Sequence, residues 1–452
     1  MLLGTQTVNA QGHLEIGGCD ATRLAAEFGT PLYVVDEALV RANCRGYRAA
    51  FEKRYPHNRV CYASKAFLTP ALCRIIEQEG LDLDVAAGGE LYTALRAGFP
   101  SRRIHFHGNN KSIEEIEMAV ARRVGDVIVD NTLEIERLGA AAACAARKVD
   151  VLVRAAPGVD PDTHRFISTG QADTKFGFNI ADGSAMAAVR RVLATPSLRF
   201  RGIHFHVGSQ LLDAESHRGA IDAAAALMEE VRRECGVVCE VLNIGGGLGV
   251  RYRESHRPPT FDQFAEAIVS RLVEALDARG LPYPILEHEP GRSIVGEAGV
   301  TLYTAGALKT VPIVEEPGRR TYVMVDGGLS DNPRPQLYDA EYELIVANRA
   351  GDAPERTVSI AGKHCETDVL IWNARVPAIE TGDILAVQTT GAYNHSMASN
   401  YNRLLRPAVV FVADGHADLV VERETYADLV RHERIPPRLA RTRDAARPKG
   451  RR

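Results

Sequence analysis

Eight times between residues 59 and 288, a short apolar or β-branched run is followed by an Ala-, Glu- and Arg-rich stretch. The runs are RVCYAS (59–64), LDLDVA (81–86), IHFH (104–107), DVIVD (126–130), VDVLVR (149–154), FRGIHFH (200–206), CEVLNI (239–244) and PILEH (284–288). The segments between them, such as TPALCRIIEQEG and GGELYTALRAG, have helical periodicity and end in Gly. Strand and helix in alternation imply parallel strands joined by crossover helices. Eight such units over about 240 residues suit a closed (β/α)8 barrel better than an open doubly wound sheet.

After Arg292 the texture changes. TLYTAGALKTV, RTYVMVDGG, RTVSIAG, DILAVQTTGAY and AVVFVAD read as short strands with no helices between them, so a second, all-β domain is expected. The expected division is an N-terminal segment 1–35 that adds a strand to the β domain, a barrel over 36–292, a β domain over 293–425, and a basic, disordered tail over 426–452. From Arg434 to Arg452 the chain has eight Lys or Arg and one Asp, a net of +7, so the remainder holds −11 of the total −4. An acidic body argues against nucleic acid as a partner. No apolar run is long enough to span a membrane and no secretory leader is evident, which makes a cytoplasmic protein the expectation. Eight cysteines without a CxxC pair suggest reduced thiols.

In a barrel of this kind, chemistry gathers where the strands end. Strand one ends at Ser64-Lys65, strand six at His206-Val-Gly-Ser-Gln, strand seven at Gly245-Gly246-Gly247, and strand eight at Glu289-Pro-Gly291-Arg292. A lysine so placed can form an imine, bind phosphate or shuttle a proton, or it can simply reach solvent. Glycines after a strand let backbone N–H groups approach a phosphate, although they also serve tight turns. Lysine, glycine loop and carboxylate together match the needs of pyridoxal 5′-phosphate (PLP). The lysine holds the aldehyde as an imine, the loop holds the phosphate, and the carboxylate keeps the pyridine nitrogen protonated.

From about Gly29 to Asp414 the sequence resembles the PLP-dependent decarboxylases of the alanine-racemase-like barrel fold. The motifs that carry the resemblance are YASKAF, VRAAPGVDPDTHRFISTG with KFGF, HFHVGSQ, NIGGGLG, EPGRSIV, RPQLYDA, CETD and GAYNHSMASNYN. It implies that Lys65 binds the cofactor covalently, that His206 stacks on its ring, and that Glu289 pairs with the ring nitrogen. Ser209, Gly245, Gly246, Gly247, Gly291 and Arg292 would bind the phosphate or lie beside it, with Tyr393 contacting it. Cys365 would be the general acid and Glu366 would recognise the substrate's far amino group. Arg292, Arg334 and Tyr338 would hold its far carboxylate, with Tyr393 close by. The resemblance also implies a homodimer whose active sites are shared across the interface. Its implied reaction is decarboxylation of meso-2,6-diaminopimelate to L-lysine and CO2, the last step of lysine biosynthesis. One departure stands out: the family motif C-E-S-G-D is one residue shorter here, Cys365-Glu366-Thr367-Asp368.

Rival readings use other residues. His105 and His107, and likewise His204 and His206, alternate along their strands and could each supply two metal ligands, as in barrel hydrolases. That reading leaves Lys65, the glycines and EPGR unexplained, and no metal is expected. A racemase on the same fold and an inactive homologue that serves as a binding partner are the remaining rivals.

Overall fold

The computed structural model describes residues 2–159, 173–314 and 317–440. Eight parallel strands close into a barrel: β1 (Asn58–Ala63), β2 (Asp82–Val85), β3 (Ile104–Phe106), β4 (Asp126–Val129), β5 (Val149–Ala156), β6 (Leu198–His204), β7 (Val241–Asn243) and β8 (Ile285–His288). The ring closes where β8 pairs with β1, setting Leu286 opposite Asn58 and His288 opposite Val60. The outward faces of these strands and the inward faces of the helices share one large apolar core, which is why the strands read as nearly continuous hydrophobic runs.

Four of the crossover helices begin with side chains that satisfy their open N–H groups. Thr69 caps Pro70–Gln78, Asn131 caps Thr132–Cys144, and Ser112 with Glu115 and Thr260 with Gln263 form capping boxes on Ile113–Arg122 and Phe261–Asp277. The shell helix Glu37–Glu52 precedes β1 and packs beside Phe261–Asp277, with the Phe51 and Phe264 rings 6.2 Å apart.

Alternation along each strand decides what faces the barrel axis. Ile128, Leu152 and Val241 form a small apolar plug there, joined by Ile285. The remaining interior is polar. Cys61 pairs in register with Asp82 and Ala63 with Asp84, so these positions on β1 and β2 face the axis at successive heights, and Lys65 follows at the mouth.

The β domain is built around Gly299–Pro312, a long strand that pairs antiparallel with Leu32–Asp36, Arg319–Val325 and Ile384–Val387. Leu32–Asp36 then pairs in parallel with Ala408–Ala413, so a strand from before the barrel sits inside the sheet made after it. A small three-stranded sheet (Thr7–Val8, Leu14–Ile16, Cys19–Asp20) and helix Ala21–Phe28, not foreseen from the sequence, precede that strand.

Residue 426 was expected to begin a disordered tail. Instead the chain forms a short helix there, Tyr426–Val430, because Thr425 and Asp428 satisfy its first turn as a capping box. The basic stretch 441–452 and residues 160–172 of the long VRAAPG motif lie outside the described residues. Among the described residues, no helix is long and apolar enough to cross a membrane.

Candidate active site

A cavity of about 460 Å³ opens at the C-terminal mouth of the barrel, within the usual range for a small-molecule site. Lys65 projects into it from a short turn, Ser64–Ala66, directly after β1. Its Nζ lies 4.0 Å from Asp84 Oδ2. Burial alone would lower the lysine pKa, but Asp84, Tyr393 and Glu289 outweigh it and hold the ammonium above its ordinary range.

Glu289, one residue past β8, is buried in the same wall. Its Oε1 accepts from Asn243 Nδ2 at 2.7 Å and lies 2.9 Å from His107 Nε2, while Oε2 lies 3.3 Å from His204 Nε2. Burial pushes a carboxyl toward its neutral form, yet His107 and His204 reverse the balance and hold Glu289 well below the usual carboxylate range. The two imidazoles are themselves pushed down by burial. The result is a cavity wall that favours the carboxylate form of Glu289, with an imidazole nitrogen facing each of its oxygens.

The glycine loop follows β7 so closely that side chains would not fit. A Cβ on Gly246 would lie 2.1 Å from the Glu289 carbonyl oxygen, and Gly245, at φ 68°, would place one 2.6 Å from the Phe205 carbonyl. A Cβ on Gly247 would meet the Gly208 carbonyl at 2.8 Å, and one on Gly291 would crowd Ala63 and Ala66. This packing brings Gly246 N–H to His206 Nδ1 at 3.2 Å, which fixes the imidazole at the cavity wall. Burial, with Lys65 and Arg154 nearby, pushes His206 well below its ordinary pKa. Ser209 Oγ accepts from Arg292 Nη2 at 2.9 Å and also lines the cavity.

Two guanidinium groups complete the wall. Arg292 and Arg334 are each 4% exposed, and among the described residues neither has a carboxylate within ion-pair distance. Aromatic faces and phenol oxygens take that place. Arg292 lies 4.8 Å from the Tyr393 ring and donates to the Tyr252 hydroxyl. Arg334 lies 5.3 Å from the Tyr338 ring and 5.7 Å from Tyr393, and its Nε donates to the Tyr342 hydroxyl at 3.0 Å. Arg334 and Tyr338 come from a short helix of the β domain, Arg334–Tyr338. Tyr393, at φ 62°, is pinned by its backbone N–H to the Ala66 carbonyl, 2.8 Å away and next to the lysine.

Comparison with known proteins bears on this arrangement directly. Residues 39–296, more than half of the chain, match the profile of the pyridoxal-dependent decarboxylase family, pyridoxal binding domain. The chain belongs to that family. It is 49% identical to diaminopimelate decarboxylase of Bacillus subtilis over 95% of this chain and 97% of that protein. It is 46% identical to the Mycobacterium tuberculosis diaminopimelate decarboxylase over 92% of this chain and 93% of the relative. The crystal structure of diaminopimelate decarboxylase from M. jannaschii in complex with L-lysine superposes with a TM-score of 0.89 at 35% identity, covering 96% of this chain and 99% of that one.

Pyridoxal phosphate, which the family name implies, can be tested against the residues present. A primary amine, a buried carboxylate across from it, an imidazole held by a glycine loop, and an arginine–serine pair all line one cavity. Those are the donor and acceptor types that an aldehyde, a pyridine nitrogen, an aromatic ring and a phosphate require, and they fit.

Of the residues singled out from the sequence, Gly245, Gly246, Gly247 and Gly291 pack behind the lining, and two side chains are not brought to this cavity within the single chain. Cys365 and Glu366 are exposed on the β domain and are not among the lining residues. Glu366 accepts from the Tyr401 hydroxyl, and the backbone N–H of Cys365 reaches Asn402 Oδ1 at 3.3 Å. The shortened loop is anchored by Asp368, which is buried, takes His364 Nδ1 at 2.6 Å, and accepts from the backbone of Leu329 at 2.7 Å. His364 stacks on Tyr401 with ring centroids 5.7 Å apart, so the loop is braced on both flanks.

Several residues of this site were missed from the sequence. Asp84 counts only as part of the strand run LDLDVA and Asn243 as part of CEVLNI and NIGGGLG, and Tyr252 and Tyr342 fall outside the motifs that carry the resemblance. His107 and His204 were noticed only as metal ligands. The structure does converge them with Glu289, their ligand-type atoms within 4.8 Å of one another, but as supports of a carboxylate that faces the lysine cavity.

Proposed function

We propose that this chain decarboxylates meso-2,6-diaminopimelate at its D-centre, releasing CO2 and L-lysine, with PLP bound at Lys65. The observation that carries the substrate choice is the pair Arg292 and Arg334, buried in the wall of the lysine cavity with no carboxylate of the described chain beside them. Buried guanidinium groups demand an anion, and diaminopimelate brings a second carboxylate where ornithine and arginine bring none. The relatives named diaminopimelate decarboxylase support the same choice.

Bound PLP supplies an electron sink for the pair released when the bond to the leaving carboxylate breaks. The chain's residues do the rest. Lys65 would hold the cofactor until the substrate amine takes its place. Glu289 would set its carboxylate toward the ring nitrogen, and His206 would cover the ring. Ser209, the Gly245–Gly247 loop, Gly291 and Tyr393 hold the phosphate, with Arg292 beside it. Arg292, Arg334 and Tyr338 grip the far carboxylate. Cys365 delivers the proton that replaces CO2, and Glu366 binds the far amino group. Both are exposed here, which supports a homodimer in which each subunit completes its partner's cavity. The division at residues 35, 292 and 425 and a cytoplasmic setting belong to the same proposal.

The test is CO2 release from the PLP-loaded protein offered meso-diaminopimelate, ornithine and arginine separately, with the amine product identified. Lysine and CO2 from diaminopimelate alone is the expected result; turnover of only another amino acid would discard the substrate. Arg334→Ala should lower kcat/KM for diaminopimelate at least about tenfold, the cost of an unmade hydrogen bond to a charged group, while PLP stays bound. Unchanged kinetics would remove Arg334 from the site.

A further inference from the structure

Asn243 ends β7 with its side chain fully buried, and its amide makes hydrogen bonds in three directions. Nδ2 donates to Glu289 Oε1 at 2.7 Å and to Glu287 Oε2 at 3.3 Å, while Oδ1 accepts from the Gly245 N–H at 2.9 Å. The amide's orientation is fixed by this surrounding: two carboxylates can only accept and one N–H can only donate. Glu289 is tied to the same glycine a second time, its backbone N–H donating to the Gly245 carbonyl at 2.8 Å. A Cβ on Gly246 would collide with the Glu289 carbonyl, so loop and carboxylate residue are in van der Waals contact as well.

We propose that Asn243 is a positioning residue that locks the Glu289 carboxylate in register with the Gly245–Gly247 loop. This rests on the reading of the cavity as a PLP site. Its consequence is that the groups that would face the ring nitrogen and the phosphate are held as one rigid unit, with the Asn243 side chain adding to the backbone link between Glu289 and Gly245.

The chemistry favours an amide in this place. A carboxylate buried near Asp84 and Glu287 needs donors on both oxygens, because like charges nearby and loss of water both oppose ionisation. His107 and His204 also face Glu289, but a neutral imidazole has one N–H that either ring nitrogen can hold, so its donor toward Glu289 depends on the tautomer. An amide has no titratable group, so its donor is present at every working pH. It therefore acts as the fixed element of the cluster.

The experiment uses the PLP-loaded protein and two variants, Asn243→Ala and the isosteric Asn243→Asp. The readouts are PLP affinity, the cofactor's absorbance as a function of pH, and kcat. Both variants are expected to fold, to bind PLP roughly ten- to a hundredfold more weakly, and to lose kcat by a similar factor, as for a lost bond to a charged group. In Asn243→Asp the absorbance should titrate at a pH where the unmodified protein is flat, because a like charge now faces Glu289. Wild-type affinity and a wild-type absorbance profile in either folded variant would overturn the proposal. Failure of both variants to fold would overturn it too, by making Asn243 a purely structural residue. Failure of the unmodified protein to bind PLP is a separate outcome that rejects the cofactor reading on which the proposal stands.

Discussion

Glu287 and Glu289 sit two residues apart, on and just past β8, and face the barrel axis at different heights. Lower in the barrel, Glu287 meets Arg59 Nη1 at 2.8 Å, Arg103 meets Asp82 at 2.7 Å, and Arg201 meets Asp126 at 3.2 Å. His105 stands among Asp82, Asp126 and Glu287 at 3.3, 3.6 and 3.7 Å. At the mouth, Glu289 has two imidazoles and an amide, and the half-exposed Lys65 amine is set beside Asp84. What differs is the partner set against each glutamate: Arg59 forms an ion pair with Glu287, whereas among the described residues no arginine lies within ion-pair distance of Glu289, and Arg154 at the mouth lies beside Asp130 instead. Where guanidinium groups close the network, buried charge serves the shape of the barrel. Where they are replaced by groups that give one hydrogen bond each, the charge is left available to a ligand.

The two histidines of the HFH run record this contrast. Burial should lower both. For His105 the Cys61 sulfur, Glu287 and Asp82 outweigh burial and raise its pKa well above the ordinary value. For His107 burial prevails and lowers it. Two imidazoles within three residues are thus pushed in opposite directions.

The largest effect that would test this division is at the mouth. Lys65→Ala should abolish turnover, roughly a thousandfold or more, as for other residues that bond covalently in a mechanism, with little change in the unfolding midpoint. A variant that keeps its activity would remove the lysine from the chemistry. Lower down, His105→Gln should behave in the opposite way. Removing one partner of a buried ionic network costs about 3–5 kcal/mol, so denaturant midpoints should fall while PLP affinity and KM hold. Its pH sign is definite: a raised native pKa stabilises most below the unfolded value of about 6.5, and that stability is lost as pH rises through the native pKa. A loss of cofactor affinity in this variant would mean that the two layers are one site.

The smallest effect concerns the residue between the two glutamates. His288 points outward into the shell, its ring 3.9 Å from Phe51, and burial pushes its pKa down to about 3. Between that value and about 6.5 the unfolded chain binds a proton that the native ring refuses, so stability is full above that window and falls as pH drops through it. His288→Phe should therefore reduce the loss of stability between pH 7 and pH 5 by about 2 kcal/mol, measured by urea unfolding at both values. An unchanged acid sensitivity would show that the shell does not discriminate charge.

Much of this was legible in the sequence. The eight strands announced themselves because strands covered on both faces need continuous apolar runs, and Lys65, His206, Glu289 and the glycines stood out as breaks at the ends of such runs. The supporting groups did not. Asp84, Asn243 and His204 lie inside strands, where only the register between neighbours reveals which residues share a height and face the axis. Tyr252 gains meaning only once Arg292 and Arg334 are both set over its ring, and Tyr342 only once its hydroxyl accepts from Arg334. Cys365 and Glu366 could be named only through resemblance, since no periodicity marks an exposed loop that faces away from its own cavity.

The threading of the β domain has a consequence for the order in which the protein can be assembled. Leu32–Asp36 is synthesised before the barrel, yet its two sheet neighbours, Gly299–Pro312 and Ala408–Ala413, emerge from the ribosome only after the barrel is complete. The strand must wait, unpaired along both edges, while some 250 residues of (β/α)8 fold beside it. Over that interval the nascent chain already has Lys65 and Glu289 in place but has neither Arg334 nor Tyr393. Lys65 and Glu289 are made first and Arg334 and Tyr393 last, and Ala408–Ala413, which pairs with the waiting strand, is among the final pieces of chain to appear.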